Sequence, residues 1–311
     1  MIVREYYQKD APDPILAPET VLTLVHRHVP SAETVTAIDE TGGEARVYFI
    51  DEALALKVQR PQQLRSWTSL EKEVRFLRQI AADDPTISVP RVVGYGRDDG
   101  IEYTLMTRMG GDAAVRAPMP PAARAGSLHE LGRTIRRIHA IHQEPLRASG
   151  LFPEEYTSDD LRAGLARDLV QVANRFEEGG IGWPFPWSPG DLAERAQARV
   201  PKEPAAVSLH TNPGPTHTFV EPETGGFVGL IDFGDAYIGH PAHDLLRWPD
   251  PVDREAVLRG YREAGDPGTG FWAYWPVAVM VVDLILMLRR PEARDAARER
   301  VISTVGEWGR G

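Results

Sequence analysis

The 311-residue chain predicts an α+β protein of two lobes, a small β-rich N-terminal lobe over residues 1–109 and a larger helical lobe over residues 110–311. Three observations predict it. Apolar residues alternate with period two through the first third, helical spacing dominates the remainder, and Met109-Gly110-Gly111 marks the change.

The elements follow in chain order. Residues 17–28 read as a short opening helix. Residues 34–39, 45–50 and 53–59 alternate as strands, and the turn signals Thr41-Gly42-Gly43 and Asp51-Glu52 divide them into a meander. Leu70, Val74, Leu77 and Ile80 form one apolar stripe, which predicts a helix over 70–81. Strands over 91–95 and 102–107 flank a hairpin turn at Asp98-Asp99-Gly100. Beyond Gly111, helical patterns cover 128–141, 158–177, 189–199, 253–264 and 277–290. A strand-like island over 207–209, 218–220 and 227–231 interrupts them.

Composition narrows the function classes. The absence of cysteine excludes disulfides, thiolate zinc sites and cysteine nucleophiles. The N-terminal residues Met1 to Glu5 carry no apolar core of signal-peptide length, so a cytoplasmic protein is expected. The apolar run 271–288 is about as long as a membrane span. Asp283 in its interior and Arg289-Arg290 at its end make it instead a buried helix of the larger lobe, with no membrane partner expected. A formal net charge of −10 argues against a nucleic-acid partner and is compatible with a cationic small molecule.

Two segments concentrate chemistry. His210-Thr211-Asn212-Pro213-Gly214-Pro215-Thr216-His217 follows a short strand, and Gly229-Leu230-Ile231-Asp232-Phe233-Gly234-Asp235 ends another. The first lies one hairpin before the second, so both turns belong at the same end of that hairpin. An acid at a strand terminus can face a cleft, and beside it would stand an amide and one or two histidines. Upstream, Lys57 is a charge inside an apolar strand, where a lysine pairs with an acid or snorkels.

These segments resemble the paired signatures of the aminoglycoside phosphotransferases and related small-molecule kinases. There a His-x-Asp-x-x-x-x-Asn loop precedes Ile-Asp-Phe-Gly-Asp and Pro-Ala-x-Asp-Leu, which stands here as Pro241-Ala242-His243-Asp244-Leu245. The resemblance runs from about Val35 to about Leu288 and implies a two-lobed protein kinase-like fold. It implies transfer of a phosphoryl group from ATP or GTP, with Mg²⁺ or Mn²⁺, to a hydroxyl of a small molecule. Gly42 and Gly43 would cover the phosphates. Lys57 would reach them while paired with Glu73, with Glu71 in reserve. Asp232 and His217 would hold the metal, although asparagine is usual at the second position. His210 would brace the catalytic loop, and so would Asp244.

Asn212 departs from the pattern, which has an aspartate that accepts the acceptor's hydroxyl proton. Asparagine orients a hydroxyl but takes no proton at neutral pH. A slow or differently assisted kinase, a nucleotide- or ligand-binding pseudokinase and an introduced inactivation all stay open. Acidic stretches at Glu154-Glu155, Asp159-Asp160 and Glu177-Glu178, and the aromatic loop Trp183 to Trp187, mark the region where the resemblance places the acceptor. Both also read as a solvated helix face and a hydrophobic anchor.

Overall fold

The computed structural model describes residues 15–60, 69–98, 100–117, 119–155 and 157–308. Met1 to Glu5, the turn residue Asp99 and Tyr156 lie outside them.

After the opening helix α1 (Pro18–His26), five strands form one antiparallel sheet: β1 (Val35–Asp39), β2 (Ala45–Ile50), β3 (Leu54–Gln59), β4 (Val92–Asp98) and β5 (Ile101–Thr107). Their order is β1-β2-β3-β5-β4, so the β4–β5 hairpin folds back to place β5 beside β3. The β1–β2 turn needs a glycine, because a Cβ on Gly42 would lie 2.7 Å from the Ala45 carbonyl oxygen. One face of the sheet (Tyr48, Ile50, Leu56, Val58, Tyr103, Leu105) packs on Val21, Leu24 and Val25 of α1 as a small separate core.

Helix α2 (Leu70–Asp83) begins where the Ser69 side chain accepts from the Lys72 N–H, satisfying one of the donors a helix start leaves open. Its Phe76, Leu77 and Ile80 belong to the other, larger core. The sheet-rich N-terminal region is therefore joined to the helical C-terminal region through these α2 residues and through Ile87, Val89 and Val92 of the segment that follows.

That larger core is built from α3 (Pro121–His139), α4 (Glu144–Ala148), α5 (Ser158–Glu178), α6 (Pro189–Gln197), α7 (Ala242–Leu245), α8 (Pro251–Arg262), α9 (Thr269–Arg289) and α10 (Arg294–Trp308). Helices α3 and α8 cross with almost nothing between them. A Cβ on Gly132 would fall 2.0 Å from the Val257 carbonyl oxygen, and one on Gly260 would fall 1.9 Å from that of His129. Only glycine fits at either position.

Two three-stranded sheets are set among these helices. The hairpin β9 (Thr218–Val220) and β10 (Phe227–Leu230) adds β6 (Asp112–Ala113), in the order β10-β9-β6. The strand β8 (Val207–Leu209) lies in the other sheet, paired with β11 (Tyr237–Gly239), which also binds β7 (Glu154–Glu155). β6, β7 and β11 are two or three residues long, too short to show a period.

Helix α9 starts at Thr269 rather than at 277, with Pro276 inside it. Proline there forgoes one helical hydrogen bond, and burial of Phe271 and Tyr274 holds the preceding turns against the core. α9 is long and apolar enough to cross a membrane by length and composition. Here it packs against α5, α7 and α10. Its buried Asp283 accepts from Arg300 of α10 through Nε and Nη2, both at 3.0 Å, with Arg254 of α8 at 3.8 Å.

Removing one member of a buried ion pair strands the other charges and costs about 3–5 kcal/mol. Asp283→Ala is expected to lower the stability by that order, read as a shift of the urea midpoint. An unchanged midpoint would show that the two arginines hold α9 by packing alone.

Candidate active site

The β9–β10 hairpin places its two flanking segments together. The Ile231 N–H donates to the His217 carbonyl at 3.1 Å, just beyond the Thr218–Leu230 pair, so the 210–217 loop and the 231–235 segment leave the same end.

Within the loop, His210 is fully buried and bonded on both ring nitrogens. Its Nε2 lies 2.9 Å from the Ile231 carbonyl oxygen, and its Nδ1 lies 3.3 Å from the Asn212 N–H. A neutral ring with its proton on Nε2 satisfies both, and burial pushes its pKa down to about 4, in agreement with that tautomer. Phe233 packs tilted against the same ring at 4.4 Å between centroids and stacks on Phe76 of α2 at 5.4 Å.

Asp244 on α7 holds the loop from below. Its Oδ2 accepts from the His210 N–H at 2.8 Å and its Oδ1 from the Thr211 N–H at 2.6 Å. His139 at the end of α3 donates to Oδ2 from Nε2 at 3.0 Å, while its Nδ1 takes the Tyr261 hydroxyl of α8 at 3.0 Å. Burial opposes the Asp244 charge, but these donors hold its carboxyl below the usual carboxylate range. The clamp keeps Thr211 at φ +80°, a left-handed conformation costly for a β-branched residue.

Above the loop, Lys57 of β3 donates to Glu73 Oε2 at 2.8 Å and to Asp232 Oδ1 at 2.6 Å. Burial works against its charge, yet the carboxylates of Asp232 and Glu73 outweigh it and hold the ammonium well above lysine's ordinary range. Glu73 accepts from the Phe233 N–H as well, at 3.1 Å. Glu71 is engaged elsewhere, with Arg75 and Arg97. Asp232, at φ +69°, keeps 41% of its side chain open to solvent. Its setting alone would raise its pKa, but the Lys57 ammonium beside it keeps it below the carboxylate range.

His217 faces two ways. Its Nδ1 donates to the Asn212 carbonyl at 2.9 Å, and its Nε2 lies 3.3 Å from Asp232 Oδ2. Unless the ring takes a second proton, a lone pair confronts a carboxylate oxygen there, an arrangement a divalent cation between them would relieve. The residues fit such an ion as two ligands only, since among the described residues no cluster of three or more His, Cys, Asp or Glu could hold a metal. An ion of this class takes its remaining ligands from phosphate and water. Asn212 stands at the loop's tip, partly buried, and its side-chain amide has no hydrogen-bond partner among the described residues.

The structure thus gathers Lys57, Glu73, His210, Asn212, His217 and Asp232 at one place, with Gly42 and Gly43 at the β1–β2 turn of the sheet that carries Lys57. Three of the acids in these stretches are engaged: Glu154 pairs with Arg147, Asp159 with Arg162, and Asp160 closes the capping box of α5, while Glu177 and Glu178 are exposed at the end of that helix. In the aromatic loop, Trp183 donates to the Trp187 carbonyl and packs edge-on to Phe176 and Phe185, which makes it an anchor on the core. Sequence reasoning passed over Phe233, His139 and Tyr261. Phe233 stood within a motif already noticed, whereas nothing in the spacing of His139 and Tyr261 marks them.

Comparison with known proteins identifies the class. A macrolide 2'-phosphotransferase, MphH from Brachybacterium faecium, aligns over 92% of this chain and 98% of its own with a TM-score of 0.57 and 23% identity. The GDP complex of wild-type aminoglycoside 2'-phosphotransferase-IIIa aligns over 94% and 99% with a TM-score of 0.59 and 16% identity. At these identities the likeness shows the fold, the two-lobed protein kinase-like one. Aminoglycoside 3'-phosphotransferase from Streptomyces ribosidificus is 27% identical over 148 residues, 48% of this chain and 53% of that protein, so the match spans about half of that relative. The family model described as the phosphotransferase enzyme family (APH) matches residues 34–275, and the chain belongs to that family.

The buried histidines make stability depend on pH. His210 and His240 are both fully buried, and burial lowers each from 6.5 to about 4. Above pH ~6.5 neither state is protonated and their contribution is complete. As pH falls from there toward 4, only the unfolded chain gains protons, and stability is lost at about 1.4 kcal/mol per pH unit for each group. The urea midpoint should therefore be lower at pH 5 than at pH 7; equal midpoints would contradict the buried neutral assignment.

Proposed function

We propose that this protein transfers the γ-phosphoryl group of ATP or GTP to a hydroxyl of a small molecule. The observation that carries the reading is the Lys57 ammonium suspended between Glu73 and Asp232, 2.8 and 2.6 Å away, at the mouth of the loop that presents Asn212. Family membership supports it, and so does the GDP found in one solved relative.

In this reading Lys57 binds the α and β phosphates while Glu73 fixes its direction, and the Gly42-Gly43 turn lies over them. Asp232 and His217 would hold Mg²⁺ or Mn²⁺, which would supply charge neutralisation to the phosphates when bound. Asn212 hydrogen-bonds the acceptor hydroxyl and aims its oxygen at the γ phosphorus. The new O–P bond forms as the bridging bond to the β phosphate breaks, and the diphosphate departs. Because the transition state is loose, the hydroxyl proton is lost late, to solvent or to the transferred phosphoryl group. Asn212 itself takes none.

A second reading, a nucleotide-binding protein without turnover, is favoured by Asn212 alone. Titration of ATP and GTP with and without Mg²⁺, followed by a turnover assay, separates the two. Metal-dependent binding with turnover supports the transferase, binding without turnover supports the rival, and no binding defeats both.

Two substitutions test the roles. Asn212→Asp restores a general base and is expected to raise kcat, by up to about 10²–10⁴-fold if proton removal limits the rate. A rate unchanged or lower means that no base is needed at this loop. Asp232→Ala should abolish the metal dependence of nucleotide binding measured by calorimetry; retained dependence would move the metal elsewhere.

A further inference from the structure

The Gly42-Gly43 turn is fastened by a residue that has had no role so far. Strand β3 continues its pairing with β2 one residue beyond Gln59, where the Arg60 N–H donates to the Glu44 carbonyl at 2.8 Å. Alternation along the strand sets Arg60 on the face of Leu56 and Val58, which pack on α1, and opposite the face of Lys57. Its Nη1 donates to the Gly42 carbonyl at 2.5 Å and reaches the Glu40 carbonyl at 3.5 Å. Arg46 pairs across from Val58 and so shares that face, and its Nε donates to Glu40 Oε1 at 2.9 Å. Two arginines thus hold the turn from the side of the sheet away from the cleft.

Peptide geometry carries this to the other side. In a planar trans peptide the C=O and the N–H that follows it point in opposite directions. With the Gly42 carbonyl turned to Arg60, the Gly43 N–H is aimed away from Arg60, toward the face that carries Lys57. The N–H groups of Gly42 and Gly43 have no hydrogen-bond partner among the described residues. Thr41 spends its own N–H and hydroxyl on Asp39 Oδ1, at 2.8 and 2.6 Å. Successive N–H groups left open in a turn are a favoured contact for an anion. A glycine pair left unfastened could rotate the peptide between its residues and turn a carbonyl to that anion instead.

We propose that Arg60 is a positioning residue for the nucleotide: by holding the Gly42 carbonyl on the outer face of the sheet, it presents the Gly43 N–H to a phosphate oxygen on the inner one. The inference rests on the phosphotransferase reading for the carrier of that phosphate, a nucleoside triphosphate. Arg60 itself touches no phosphate and acts through one peptide plane.

The test follows the Gly43 amide proton by NMR in protein labelled with ¹⁵N-glycine, its resonance identified by its loss in Gly43→Ala. ATP and GTP are titrated with Mg²⁺, and calorimetry on the same samples gives the affinity. In the parent the nucleotide is expected to move this proton downfield, as when an N–H meets a phosphate oxygen. Arg60→Ala should lose most of that movement and bind the nucleotide about tenfold more weakly, the order of one hydrogen bond to a charged oxygen. Arg60→Lys, which keeps a donor on a long chain, should retain most of both. A Gly43 proton that bound nucleotide leaves in place in the parent overturns the proposal. So does an affinity unchanged in Arg60→Ala, or a movement that persists there while affinity falls, which would make Arg60 a distant charge only. Turnover alongside any of these results keeps the transferase and sinks this inference alone. A Gly43 movement that depends on Arg60 without any turnover does the reverse, and a parent that binds neither nucleotide defeats both.

Discussion

One ammonium group shared by two carboxylates sets the geometry of the molecule. Lys57 comes from the sheet, Glu73 from the helix that crosses it and Asp232 from the end of a hairpin in the helical region. Glu73 is buried and Lys57 nearly so, and a charge in such a place needs its opposite beside it. Glu73 also receives the Phe233 N–H, so the position of α2 is referred to the same strand end that presents Asp232. The apolar stripe of α2 sits in the larger core, and the ion pairs fix how the sheet lies over it.

Below that contact, the loop is shaped by a single acceptor. An ionised carboxylate accepts and does not donate, and Asp244 receives two consecutive backbone N–H groups and one imidazole. Consecutive N–H groups aimed at one carboxylate require an unusual backbone turn, which appears as the positive φ of Thr211. A second positive φ appears at Asp232. Strain of this kind persists only where surrounding bonds over-determine it, and here it falls at Asp232 itself and at the residue before Asn212.

Much of this was legible in the sequence. Lys57 and Asp232 were visible as charges in and at the end of apolar strands, and Glu73 because the resemblance pairs that lysine with a glutamate on the following helix. The α2 stripe and the first-sheet strands were visible through their periods, to within a few residues. What escaped has a common cause. Strands β6, β7 and β11 are too short for any period, and α9 continues through a proline that local rules place at a boundary. His139 and Tyr261 act only through a helix crossing that joins distant parts of the chain. The acids of the insert read as marking the acceptor region, although Thr157-x-x-Asp160 has the spacing by which an acid closes a capping box on its own helix.

That helix crossing links two absent side chains to the chemistry. Gly132 and Gly260 let α3 and α8 meet backbone to backbone, and further along the same two helices His139 and Tyr261 meet across the crossing and support Asp244. The separation of the helix axes is thus a ruler for the loop. A methyl group at either glycine would act as a wedge, and its thickness would be read out at the far end as a displaced imidazole. In a lineage of such chains the two positions would have to drift together or not at all, although neither comes near a substrate.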